Sequence, residues 1–121
     1  MNRLCLIVTF VIFINNASAS NLQTISRIQG TKNISPFVGK KVTVKGIVVG
    51  DFQNSNELKG FFIQSLNPDE NKYSSEGLFI KDSKHKVDVG DLVRVSGLVS
   101  EDHMVTHIKN VSALEKLKKH T

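Results

Sequence analysis

Four short stretches constrain the fold of this chain more than any other feature: Val42-Thr-Val-Lys-Gly-Ile-Val-Val, Gly60-Phe-Phe-Ile-Gln, Gly77-Leu-Phe-Ile-Lys and Gly90-Asp-Leu-Val-Arg-Val-Ser-Gly-Leu-Val. Each reads as a strand with a glycine at its start or middle. In the first, Val42, Val44 and Val48 alternate with Thr43, Lys45 and Ile47, the period of two of a half-buried strand, bent at Gly46. Leu92 to Val99 repeats the plan, with Val93 and Val95 alternating with Arg94 and Ser96 ahead of a bend at Gly97. A fifth strand is expected from Met104 to Val111. Glycines in and beside strands mark bulges and tight bends, which a small sheet needs in order to close on itself. The pattern therefore predicts an all-β, five-stranded closed barrel.

Outside these stretches the period changes. Leu22, Ile25 and Ile28 recur at helical spacing and Gly30 follows as a stop, which predicts a short helix over Asn21 to Gln29. Near the other end, Ser112 and Glu115 have capping-box spacing, Leu114 and Leu117 share a helical face, and lysines follow. That arrangement allows a second short helix. Asp51 to Lys59 and Asn67 to Glu76 are polar loops, and the link from Asp82 to Asp91 is too short for a substantial helix.

The first nineteen residues do not read as part of the domain. Met1-Asn-Arg is a short basic start, Leu4 to Ile14 an apolar run, and Ala17-Ser-Ala19 a small-residue cleavage pattern, the three parts of a secretory signal peptide. The apolar run stops well short of the ~20 residues of a spanning helix, so no stable membrane insertion is expected after cleavage. Cys5, the single cysteine, lies inside this segment and forms no lipidation signal. The expected organisation is a signal peptide (1–19), an N-terminal helix and lead-in (20–40), a barrel (41–111) and a basic tail (112–121), in a periplasmic or secreted protein.

Without Arg3 the mature chain carries fifteen Lys and Arg against eleven Asp and Glu, a net charge of +4. Such a domain is drawn to polyanions, whether nucleic acid, anionic lipid or acidic polysaccharide.

Five strands in about seventy residues, bent in the first and fourth, resemble an oligonucleotide/oligosaccharide-binding (OB) fold, a Greek-key barrel. The series Ile25-Ser-Arg-Ile-Gln-Gly30, Ser35-Pro36, Gly39, Val42-Thr-Val-Lys-Gly-Ile-Val, Gly60-Phe-Phe-Ile-Gln64, Ser75-Glu-Gly-Leu-Phe-Ile80 and Val89-Gly-Asp-Leu-Val-Arg-Val-Ser-Gly97 is similar to the OB domain of bacterial extracellular nucleases. The similarity spans residues 25 to about 108. In that family the domain precedes a metal-dependent endonuclease/exonuclease/phosphatase domain that cuts. This chain stops at Thr121, so the resemblance implies a binding module and not an enzyme. It also implies nucleic acid as partner, with a separate nuclease chain as a further partner. Ser65 stands where the family tends to an acidic residue.

OB domains that hold single strands combine a basic groove with aromatic rings, because every base offers a face and every link a charge. If Phe61 and Ile63 face the interior, Phe62 and Gln64 face out; by the same alternation Leu78 and Ile80 point in, Phe79 and Lys81 out. Phe62 and Phe79 then form a stacking platform on adjacent strands. The competing reading is that one or both rings are core or lie under the N-terminal helix. Lys45, Lys59, Lys81 and Arg94 are candidates to neutralise phosphates, against the plainer reading of a solvated outer face.

Other chemistry is weakly represented. His103 and His107 are four apart in an expected strand, where that spacing is ~13 Å, too far for a shared metal. Asp69, Glu70 and Glu76 offer oxygen ligands without EF-hand spacing. No nucleophile–base motif or phosphate loop is present, and no cofactor is expected. Two functions from different classes follow: an exported module for nucleic acid, single-stranded by preference, or a periplasmic OB-fold protein for a small ligand, cation or protein partner in stress tolerance.

Overall fold

The computed structural model describes residues 22–66 and 77–119. The expected signal peptide, Asn21, and the Asn67–Glu76 loop with Asp69, Glu70 and Glu76 lie outside the described residues. In chain order the elements are β1 (Leu22–Gln23), α1 (Ile25–Gln29), β2 (Lys41–Phe52), β3 (Gly60–Gln64), β4 (Gly77–Ile80), β5 (Leu92–Asp102) and β6 (Val105–Lys118). The chain is mostly β, as its alternation predicts.

All six strands join one sheet. The C-terminal half of β2 pairs antiparallel with β3, which pairs antiparallel with β4. A short parallel contact links β4 to β6, and β6 runs antiparallel to β5 along nearly its whole length. β5 then pairs with the N-terminal half of β2, from Lys41 opposite Leu98 to Ile47 opposite Leu92. The pairings thus return to the strand from which they started. One row of side chains from each of β2 to β6 fills the space between them: Val44, Val48, Phe61, Ile63, Ile80, Val93, Val95 and Ile108 are fully buried. Close packing of this row, with apolar area removed from water at about 25 cal/mol per Å², supplies the main stabilising term.

At the N-terminus the expected helix is shorter than its spacing suggested. Leu22 is 52% exposed and pairs in β1 with Thr43 of β2, in place of a helical apolar face. The helix begins only after Thr24, whose hydroxyl accepts from the Arg27 amide at 3.2 Å and so caps the first turn. Ile25 and Ile28 remain, one turn apart and both buried in the core.

The C-terminus departs more. No helix forms at Ser112; β6 continues through to Lys118, with Leu114 opposite Val95 and Lys116 opposite Val93. The helical spacing of Leu114 and Leu117 is overridden because β5 presents a free ladder edge along its first half, and pairing satisfies those backbone groups. Leu114 packs against the core as a strand residue. Residues 112–118 therefore belong to the sheet and not to a separate tail. Asn110, at φ 50°, accommodates the irregular step where the β5 partners jump from Ser96 to Leu98.

The link from β4 to β5 has no helix and is held by side chains. Gln53, 6% exposed, donates from Nε2 to the carbonyls of Asp82 (3.0 Å) and His85 (2.8 Å) and accepts at Oε1 from the Val87 amide (3.3 Å). The Asp82 carboxylate accepts from the His85 amide and contacts its ring Nδ1, both at 3.0 Å. Asp91 accepts from the Asp88 amide at 2.9 Å and lies 3.4 Å from the Lys116 ammonium. These bonds satisfy backbone groups that a helix would otherwise satisfy internally.

Candidate functional site

The alternation in β3 and β4 decides which rings reach the outer face. Phe61, Ile63, Leu78 and Ile80 are buried, while Phe62 and Phe79 are half-buried and Gln64 and Lys81 exposed. Phe62 lies directly opposite Phe79 in the ladder, and their ring centroids are 4.8 Å apart with planes tilted by 49°. That separation lies within the range at which aromatic pairs attract. Neither ring belongs to the core cluster.

A third ring joins them. Between Val48 and Gly50 the β2–β3 register shifts by one residue, a bulge that sets Gly50 opposite Phe62 and Phe52 opposite Gly60. Phe52, 39% exposed, meets Phe62 edge to face at 6.0 Å and 83°. Both outer rings rest over glycines. A Cβ on Gly50 would stand 2.9 Å from the Phe52 ring, and one on Gly60 would stand 2.5 Å from that of Phe79. Simple alternation from Val48 would have placed Phe52 on the inner face. A glycine two residues before an aromatic at the strand end was the only sequence sign of the bulge.

Phe62 and Phe79 floor a groove of about 320 Å³ whose walls are Leu58, Lys81, Asp102, Val105 and His107. The β2–β3 loop supplies Leu58 on one side, and the β5–β6 hairpin supplies Asp102 and Val105 on the other. His107 enters because β6 runs parallel to β4 with His107 opposite Phe79. Its Nδ1–H donates to the Val105 carbonyl at 3.2 Å. His103 sits apart, exposed in the hairpin turn, with its ring 2.9 Å from Asp102. A residue pairing so distant in sequence, 79 with 107, left no local signal by which His107 could be recognised.

The seven residues expected at the interface divide into groups. Phe62, Phe79 and Lys81 line the groove, and Lys59 lines an adjoining depression together with Lys81. Gln64 is exposed on the same strand face as Phe62, two positions or ~7 Å further along β3. Lys45 and Arg94 are opposite one another on β2 and β5, about 15 Å along β2 from the rings, and do not line the groove. The Arg94 guanidinium is already engaged, donating to Glu115 of β6 at 2.7 Å.

No protein-family model matches this chain, and no curated protein is similar to it.

Proposed function

We propose that this chain is an exported OB-fold module that binds single-stranded nucleic acid and has no catalytic role of its own. The OB-fold reading is supported by the ring of pairings β2–β3–β4–β6–β5–β2 with its one parallel contact, β4 to β6. OB-folds take their oligomers on the face of their second and third strands, between the loop joining the first two and the loop joining the last two. The groove of Phe62 and Phe79 occupies the corresponding place, between Leu58 and the β5–β6 hairpin.

The observation that carries the proposal is the pair Phe62–Phe79, two partly exposed rings 4.8 Å apart on the outer face with the Lys81 ammonium stem at their margin. Rings so placed are a platform for unstacked bases, at about 1–3 kcal/mol per base, and neighbouring lysines neutralise the linking phosphates. Phe52 extends the platform. Export to a periplasm or the exterior, and action beside a separate nuclease chain, are parts of the same proposal and rest on the leader pattern and the nuclease-domain resemblance.

A second reading has one observation in its favour: Leu58 and Val105 make two walls of the groove apolar, as in a site for a small ligand. Fluorescence anisotropy of residues 20–121 with labelled single- and double-stranded oligonucleotides across a salt series separates the two. Salt-sensitive binding that prefers single strands is the expected result. Absence of binding at low salt, or binding indifferent to salt, assigns the groove to the second reading.

A further inference from the structure

Beside the ring groove lies a second depression of about 320 Å³, lined by Lys59, Lys81, Asp82, Ser83, Lys84 and Asn110 among others. Three lysines from three separate segments line it: Lys59 from the end of the β2–β3 loop, Lys81 just after β4, and Lys84 from the β4–β5 link. None of the three makes an ion pair among the described residues. The one carboxylate at the site, Asp82, is 7% exposed and is occupied by the His85 amide and ring. Like charges gathered around one depression without a counter-ion repel one another, and an anion entering among them relieves that repulsion. Ser83 and Asn110 add uncharged side-chain hydrogen-bond donors of the kind that complete a phosphate's shell.

The backbone holds the cluster in place. Lys59 sits at φ 62° and Asn110 at φ 50°, conformations uncommon for non-glycine residues. The Lys81 amide donates to the Ile108 carbonyl at 2.7 Å, tying the end of β4 to the strand that carries Asn110. Gln53 and Asp82 fix the link that bears Lys84. Lys81 lines both depressions, so the two are joined through one side chain.

From this we infer that the Lys59–Lys81–Lys84 depression is the phosphate site of the interface. A single strand lays a base on Phe62 and Phe79 and passes its neighbouring phosphodiester over Lys81 into the three-lysine site, and so leaves the groove toward the β4–β5 link. The inference rests on the nucleic-acid reading of the ring groove and adds the path of the backbone. Lys45 and Arg94, on β2 and β5, stand off that path.

The test uses residues 20–121 with a labelled twelve-nucleotide oligothymidylate, titrated between 50 and 200 mM salt. In single strands each neutralised phosphate contributes about 0.7 to the slope of log affinity against log salt. The triple variant K59N/K81Q/K84Q, with Asn at position 59 because it tolerates positive φ, is expected to lower the magnitude of that slope by about 2. The ratio of wild-type to variant affinity then narrows by roughly 20-fold across the salt range. F62A/F79A is expected to weaken binding at every salt concentration with the slope unchanged. K84E, a single change at an exposed loop position, is expected to reduce both affinity and slope and serves if the triple variant is poorly folded.

The two readings fail in different ways. If wild type binds and K59N/K81Q/K84Q and K84E keep its slope, the phosphate site is overturned and the ring groove stands. A slope loss of the same size in the control variant K32Q/K40Q/K41Q overturns it as well, because charge anywhere would then suffice. If wild type does not bind the oligonucleotide even at 50 mM salt, the nucleic-acid reading falls and the phosphate path with it.

Discussion

The ring of Phe79 lies over Gly60, with its Cζ 2.5 Å from where a Cβ on that residue would stand. The same Cβ would also collide with the Ile80 carbonyl, a backbone atom of the neighbouring strand that cannot turn aside. Gly60 is therefore what leaves room for the Phe79 ring to lie across β3 beside Phe62.

Replacing Gly60 with alanine forces either the ring or the strand to move. Overpacking of this kind costs about 1–3 kcal/mol, which in a domain of this size lowers Tm by roughly 4–8 °C per kcal/mol. Thermal unfolding followed by circular dichroism checks the first figure. The expected local effect is a change in the Phe79 ring resonances, read by NMR.

The three rings differ in what they contribute. F62A and F79A each remove a stacking face and are expected to weaken single-strand binding by about 1–3 kcal/mol, a loss of roughly 5- to 150-fold. Phe52 meets Phe62 only in a T-shaped contact at 6.0 Å, so F52A is expected to cost less, about 0.5–1.5 kcal/mol. Anisotropy titrations at one fixed salt concentration rank them. A larger loss for F52A than for F62A would place the bases on the outer ring and not on the cross-strand pair.

How much of this was legible in the sequence follows from the range of each interaction. Alternation alone separated Phe61 from Phe62 and Leu78 from Phe79, because the two-residue period of a strand is set by local geometry. Phe52 was missed because the sequence places Asp51 to Lys59 in a polar loop, whereas β2 runs on to Phe52 past a bulge at Val49 and Gly50 that nothing in the alternation announces. Alternation failed at Leu114 and Leu117, whose spacing suits a helix as well as a strand; the choice is made by β5, about twenty residues away in sequence. His107 and Lys84 reach the two depressions only through the β4–β6 crossing and the Gln53 bonds, contacts that no local pattern encodes.

Gln53 is the side chain on which the β4–β5 link most depends. Q53L keeps similar bulk but leaves the Val87 amide and the Asp82 and His85 carbonyls without this partner. A buried backbone group left unpaired costs about 1–3 kcal/mol, so the loss of stability, read from the urea midpoint, is expected to be at least that large. The amide of Val87 is expected to exchange with solvent faster than in wild type, and by a larger factor than amides of β5. Because the same link carries Lys84, single-strand affinity is expected to fall with it, although residue 53 faces the interior.

The C-terminal half of β6 gives the sharpest test of the architecture, because a frayed tail and a sheet strand predict opposite results on truncation. Residues 113–118 pair with β5 from Ser96 back to Leu92, and Leu114 packs against the core beside Val93 and Val95. Ending the chain after Val111 removes that ladder, on the order of five backbone hydrogen bonds at about 1 kcal/mol each, together with the apolar contact of Leu114. A loss of this size is comparable to the 5–15 kcal/mol by which small domains are stable, so the truncated protein is expected to lose its cooperative unfolding transition. Ending it after Lys118 keeps the whole of β6 as given and is expected to leave Tm unchanged. Cooperative unfolding near the wild-type Tm in the shorter variant would mean that the sheet is held together without the second half of β6, and would return residues 112–118 to the status of a tail.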